Sequence, residues 1–146
     1  MMQKSLFPLF GMMPAMNTPF TESDDIDLEG LQKHIDNAIN AGICGFLLPV
    51  VASEVNKLTR EERKSIVQAA VEVNHHRVVV IGGASAITQE QCLQNVRDLI
   101  GSGVDGVFNT WMSPSIFSSI CYTGKACSKH LAYVSLFWNM ILIIVA

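Results

Sequence analysis

The chain has 146 residues, 49% of them hydrophobic and 16% charged, with a formal net charge of −3. That length supports one domain with a packed core. A net negative chain with only 10 Lys and Arg lacks the clustered cations that phosphate binding needs, which excludes a nucleic-acid binder.

At the N-terminus, Lys4 precedes an apolar stretch. Pro8 and Pro14 interrupt it and no run of small residues marks a cleavage site, so it reads as a lead-in to a first strand over Gly11–Met16 and not as a signal peptide. A first helix follows, because Leu31, Ile35, Ala38 and Ile39 recur at helical spacing while Asp36, Asn37 and Asn40 fall off that face. His34 lies near this apolar face and is expected to be partly buried. Gly42 stops the helix, since glycine tolerates a left-handed backbone. A second strand is expected within Ile43–Val50.

Thr59-Arg60-Glu61-Glu62 has the capping-box pattern, in which hydroxyl and carboxylate each satisfy a free backbone N–H. It opens a second helix with Ile66, Ala69, Ala70 and Val73 on one face, and His75-His76 at its solvated end. A third strand over Val78–Ile81 precedes a third helix. That helix starts at Thr88-Gln89-Glu90-Gln91 and carries Cys92, Val96, Leu99 and Ile100. Gly103 ends it, and Gly106–Phe108 reads as a fourth strand.

Ala41-Gly42-Ile43-Cys44-Gly45-Phe46 and Ser102-Gly103-Val104-Asp105-Gly106-Val107 share one pattern: small, Gly, apolar, any, Gly, apolar. Repeated βα units imply an α/β fold with parallel strands, and local pattern leaves a doubly wound sheet and a (β/α)8 barrel both open. Ligands in either architecture sit at the C-terminal strand ends. Three segments qualify: Asn17–Phe20, Val50–Lys57 and Gly82–Ser85. None carries a dinucleotide or phosphate-loop fingerprint, so no cofactor is expected. Thr18 and Ser85 could line a pocket from such strand ends, or serve as ordinary turn residues. Cys44, Cys92, Cys121 and Cys127 have no short metal-type pairing and read as reduced thiols of a cytoplasmic protein, with no metal site.

Pro14-Ala15-Met16-Asn17-Thr18-Pro19-Phe20, Ile26-Asp27, Ala41-Gly42-Ile43-Cys44-Gly45, Ser53-Glu54, Leu58-Thr59 and Glu61-Glu62-Arg63 resemble the dihydrodipicolinate synthase/N-acetylneuraminate lyase family. Val80-Ile81-Gly82-Gly83 and Gly103-Val104-Asp105-Gly106 continue the resemblance in order, over about residues 8–108. It implies the N-terminal part of a TIM barrel, about four strands and three helices. It also implies class I aldolase or lyase chemistry on pyruvate or another 2-oxo acid, through a lysine Schiff base with a tyrosine proton relay. The family's carboxylate-gripping loop aligns with Val51, Ala52, Ser53 and Glu54, which the resemblance makes the substrate-binding residues. Val51 and Ala52 stand where the family has two threonines, so the relay hydroxyls are gone, while backbone N–H groups survive the change.

Beyond Phe108 the resemblance ends. No acidic residue follows Asp105, and Leu131 to Ala146 is apolar for about sixteen residues, against the roughly twenty that span a bilayer. Residues 1–109 are therefore expected to form a partial barrel domain and residues 110–146 an atypical hydrophobic tail. Three readings of the tail stand side by side: an alternative ending to a truncated barrel, a membrane-associated segment through 131–146, or a buried helix. Tyr122 and Lys125 lie three residues apart, whereas strand ends must converge to build the family's catalytic pair, so neither is assigned that role. The chain is thus expected to be catalytically impaired. The alternative is a non-enzymatic product that associates with intact subunits or membranes. An open barrel edge also favours self-association into a homo-oligomer.

Overall fold

The computed structural model describes residues 10–109, 131–137 and 140–145. Three βα-type units are built from helices α1 (Leu28–Asn40), α2 (Arg60–Asn74) and α3 (Gln89–Gly101) and strands β1 (Gly45–Leu48), β2 (Val79–Gly83) and β3 (Gly106–Asn109). β1, β2 and β3 are parallel, with Phe46 opposite Val80 and Gly82 opposite Val107. This is the α/β architecture expected for the N-terminal part of a TIM barrel.

Each helix begins at a side-chain cap. Asp27 accepts from the Gly30 N–H at 2.8 Å. Thr59 and Glu62 form the reciprocal box: the Thr59 N–H donates to Glu62 Oε2 at 2.7 Å, and the Glu62 N–H donates to Thr59 Oγ1 at 3.2 Å. Thr88 accepts from the Gln91 N–H at 3.2 Å. The α1 and α3 stops also follow the glycine pattern, with φ of +93° at Gly42 and +85° at Gly103. α2 ends differently, on His75 and His76, both left-handed at φ 45° and 56°. Both histidines are exposed, and so is His34, which the helical stripe placed near the core.

The first expected strand is reduced to a single parallel bridge, Ala15 to Leu47. Backbone bonds still run along it: the Cys44 N–H donates to Met12 O, the Leu47 N–H to Pro14 O, and the Met16 N–H to Leu47 O, all at 2.9–3.0 Å. Pro14 can accept but not donate, which interrupts a regular ladder.

The core lies between helices and sheet. Leu31, Ile35, Phe46, Ile66, Ala70 and Val80 are each at most 1% exposed within it, with Val96, Leu99 and Val107 joining. Side chains alternate along a strand, so Leu47, Ile81 and Phe108 point to the opposite face. Leu47 and Phe108 on that face are partly buried and Ile81 is buried, so apolar residues on both faces make the strands read as near-continuous apolar runs.

The tail departs from the helical reading. Leu131–Phe137 and Met140–Val145 form strands β4 and β5, paired antiparallel to each other, and β5 pairs antiparallel with β3. The segments are rich in Val, Ile and aromatic residues, which favour strand over helix. Sheet order is β1-β2-β3-β5-β4. No helix among the described residues is long and apolar enough to cross a membrane. Tyr122, Lys125, Cys121 and Cys127 lie outside the described residues.

Candidate functional site

The C-terminal ends of β1, β2 and β3 open into one cleft of about 680 Å3. One wall is the segment after β1, including Val50, Val51, Ala52 and Val55. The other runs from Gly83 at the end of β2 through Ser85, Ala86 and Ile87 to Thr88 at the start of α3, and Phe108 of β3 lies between. Gly83 permits the walls to meet. A Cβ there would stand 2.1 Å from the Pro49 carbonyl oxygen, so only glycine fits without backbone movement.

Residues Val51–Ser53 form a single 3-10 turn. Its first internal bonds are the Ser53 N–H to Val50 O at 2.8 Å and the Glu54 N–H to Val51 O at 3.0 Å. The N–H groups of Val51 and Ala52 precede them and have no partner within the turn. Both residues are exposed and both line the cleft.

Ser53 and Glu54 face elsewhere. Ser53 is 1% exposed. Its hydroxyl donates to the Met16 carbonyl oxygen and accepts from the Val50 N–H at 3.1 Å. Thr18 Oγ1 donates to the Ser53 carbonyl oxygen at 2.8 Å in the same buried network. The Ser53 hydroxyl is therefore occupied in tying the turn to the chain before β1, not in lining the cleft. Glu54, left-handed at φ 56°, pairs with Lys57 at 2.8 Å on the surface. This pairing raises the Lys57 pKa, through the hydrogen bond first and the charge second, so Lys57 is held as the ammonium form.

At the base of the cleft sits Cys92, 2% exposed, whose sulfur accepts from Asn109 Nδ2 at 3.0 Å. Burial pushes the thiol pKa up, opposed by the Asn109 bond, so the group stays a neutral thiol. No lysine, arginine, histidine or carboxylate is among the described residues lining the cleft. No cluster of metal-ligating side chains occurs among the described residues.

The sequence singled out both strand-end loops that meet here. It missed Ala86, Ile87 and Cys92. The available signal was Ile87 itself: an apolar residue directly before a helix cap, fully exposed in the structure.

Residues 8–111 match the sequence model of the Dihydrodipicolinate synthetase family. The 4-hydroxy-tetrahydrodipicolinate synthase of Methanosarcina barkeri is 36% identical over 97 residues, covering 66% of this chain and 33% of that protein. An uncharacterized DapA-like lyase of Rhizobium meliloti is 32% identical over 96 residues, again 66% of this chain and 32% of the relative. A crystal structure of dihydrodipicolinate synthase superposes with a TM-score of 0.71 at 26% identity, covering 79% of this chain and 43% of that one. The enzyme from Aquifex aeolicus gives a TM-score of 0.70 at 22% identity, covering 79% and 42%, a likeness of fold. The chain spans about a third of the length of the curated relatives it matches.

Proposed function

The chain belongs to the dihydrodipicolinate synthetase family, and from that premise we propose that its cleft grips the carboxylate of a 2-oxo acid, the substrate class of a pyruvate-using lyase. The observation that carries this reading is the pair of N–H groups at Val51 and Ala52, unpartnered within their turn and next to the cleft. Two N–H groups side by side at a turn, both free of partners within it, present a concave pair of donors that suits an anionic oxygen. Ser53 and Thr18 serve this site from behind, by fixing the turn. Glu54 contributes through its left-handed backbone and its pairing with Lys57, not through contact with the ligand.

The covalent step is a separate matter. Lys33, Lys57 and Lys64 are the lysines among the described residues, and none lines the cleft. We therefore assign this segment carboxylate binding and assign the Schiff base to none of the three.

The test is a titration of the 15N-labelled chain with pyruvate and, separately, with the uncharged amide of pyruvate. Pyruvate is expected to shift the Val51 and Ala52 amide signals, and the neutral amide to leave them nearly still. Absence of a pyruvate effect at both residues would sink the reading. Borohydride added with pyruvate is expected to leave the mass of the chain unchanged, and a reduced adduct on Lys33, Lys57 or Lys64 would overturn the assignment of the covalent step.

A further inference from the structure

We propose that the cleft selects 2-oxo monocarboxylic acids carrying a branched or aromatic apolar tail over both pyruvate and dicarboxylic 2-oxo acids. The inference rests on the carboxylate site above and names the ligand class that the rest of the cleft takes. At about 680 Å3 the space lies within the 300–1,000 Å3 of sites for drug-sized ligands and far exceeds what a three-carbon acid fills.

Its wall chemistry is one-sided. Val51, Val55, Ala86, Ile87 and Phe108 supply apolar surface around it. Among the described residues, the polar side chains that join them, such as Ser85, Thr88 and Gln89, are uncharged. Cys92 at the base is a neutral thiol held by Asn109. A second carboxylate pressed against these walls loses water and meets no cation among the described residues, which is costly. An isobutyl or benzyl group loses only unfavourable hydration.

Two residues point to a tail contact near the mouth. Val51 is 78% exposed and Ile87 is 101% exposed, yet both line the cleft. Large aliphatic side chains left in water at a cleft rim gain burial when an apolar ligand enters between the walls. Val51 also stands next to the carboxylate-binding N–H pair, so one residue meets the head of the ligand through its backbone and the tail through its side chain.

The test uses the full chain and the same Val51 and Ala52 amide signals, with pyruvate, 4-methyl-2-oxopentanoate and 2-oxoglutarate as probes. The branched acid is expected to bind about tenfold more tightly than pyruvate, as burial of about half the surface of its additional carbons at an open rim implies, and 2-oxoglutarate more weakly than the branched acid. Equal affinities, or tightest binding of 2-oxoglutarate, with shifts at Val51 and Ala52 retained, would overturn this inference and leave the carboxylate site standing. If none of the three moves those signals, the carboxylate site itself falls, and this inference with it. Ile87→Ser, an exposed position whose change leaves the core untouched, is expected to remove most of the preference for the branched acid while pyruvate binding is retained. A full preference in that variant would overturn the tail contact at the rim.

Discussion

Ser53 illustrates how a side chain within a loop can be engaged by distant segments. Its hydroxyl lies within a ligand loop in sequence, yet it bonds to Met16, 37 residues away, and the residue is 1% exposed. Removing it leaves the Met16 carbonyl and the Val50 N–H without that partner. Ser53→Ala is therefore expected to cost about 1–3 kcal/mol, read as a lower urea midpoint. It is also expected to blur the Val51 and Ala52 amide signals, because the turn loses its anchor. Glycines at this scale divide in the same way. Gly83→Ala places a methyl 2.1 Å from the Pro49 oxygen and is expected to destabilise by about 1–3 kcal/mol. Gly101, the last residue of α3, has open space around its missing side chain. Gly101→Ala is expected to stabilise by about 0.5–1 kcal/mol, measured by thermal unfolding. None of these differences is visible in the local sequence, because each depends on what another segment brings within reach.

Elements were far more legible. The three helical stripes named residues that are buried or packed on the core, since a 3.6-residue period reports a face whatever the face meets. Thr59 and Glu62 formed the reciprocal cap because that interaction spans three residues and needs no tertiary partner. The bond from the Thr59 N–H holds the Glu62 carboxyl below its ordinary value. What joins the helices was not legible. Arg60 of α2 binds Asp98 of α3 through two bonds of 2.6 and 2.8 Å. The hydrogen bond from Arg60 depresses the Asp98 pKa below its usual 3.8. A carboxyl depressed in the folded state contributes stability that is complete above about pH 4 and is lost as pH falls through the folded value. Stability is thus expected to be flat on this account near neutrality and to decline on acidification. Asp98→Asn is expected to shallow that acid limb while changing stability at pH 7 by less than about 1 kcal/mol, because the pair is solvent-exposed. A limb as steep as in the unchanged chain would remove Asp98 from the explanation.

For the whole molecule, the decisive fact is three parallel strands packed on three helices, with Phe46 and Leu48 of β1 inside the core. Phe46 is fully buried and central to it, so Phe46→Ala is expected to cost about 3–5 kcal/mol. A small loss in chemical denaturation would mean that β1 is not packed as described. The tail is where composition left three readings open, a buried helix among them. Sixteen apolar residues fit a helix by hydrophobicity alone, and period could not arbitrate in a run with few polar residues. β5 instead pairs with β3, using a backbone edge whose availability no local window reports.

By itself the sequence determined the α/β class, the helix faces, the Thr59 and Thr88 caps, and the positions of the two loops that meet at the cleft. Those features arise from interactions within a few residues, where period and hydrogen-bonding groups act directly. Tertiary structure alone decided which side chains face the cleft, because strand register aligns segments about 35 residues apart. It turned Ser53 inward, left Val51 and Ala52 at the open wall, and brought Ile87 to the opposite rim. The absence of charge among the described lining residues is a property of that meeting, since Lys57, Arg60 and Glu54 lie close in sequence to the wall and pair elsewhere.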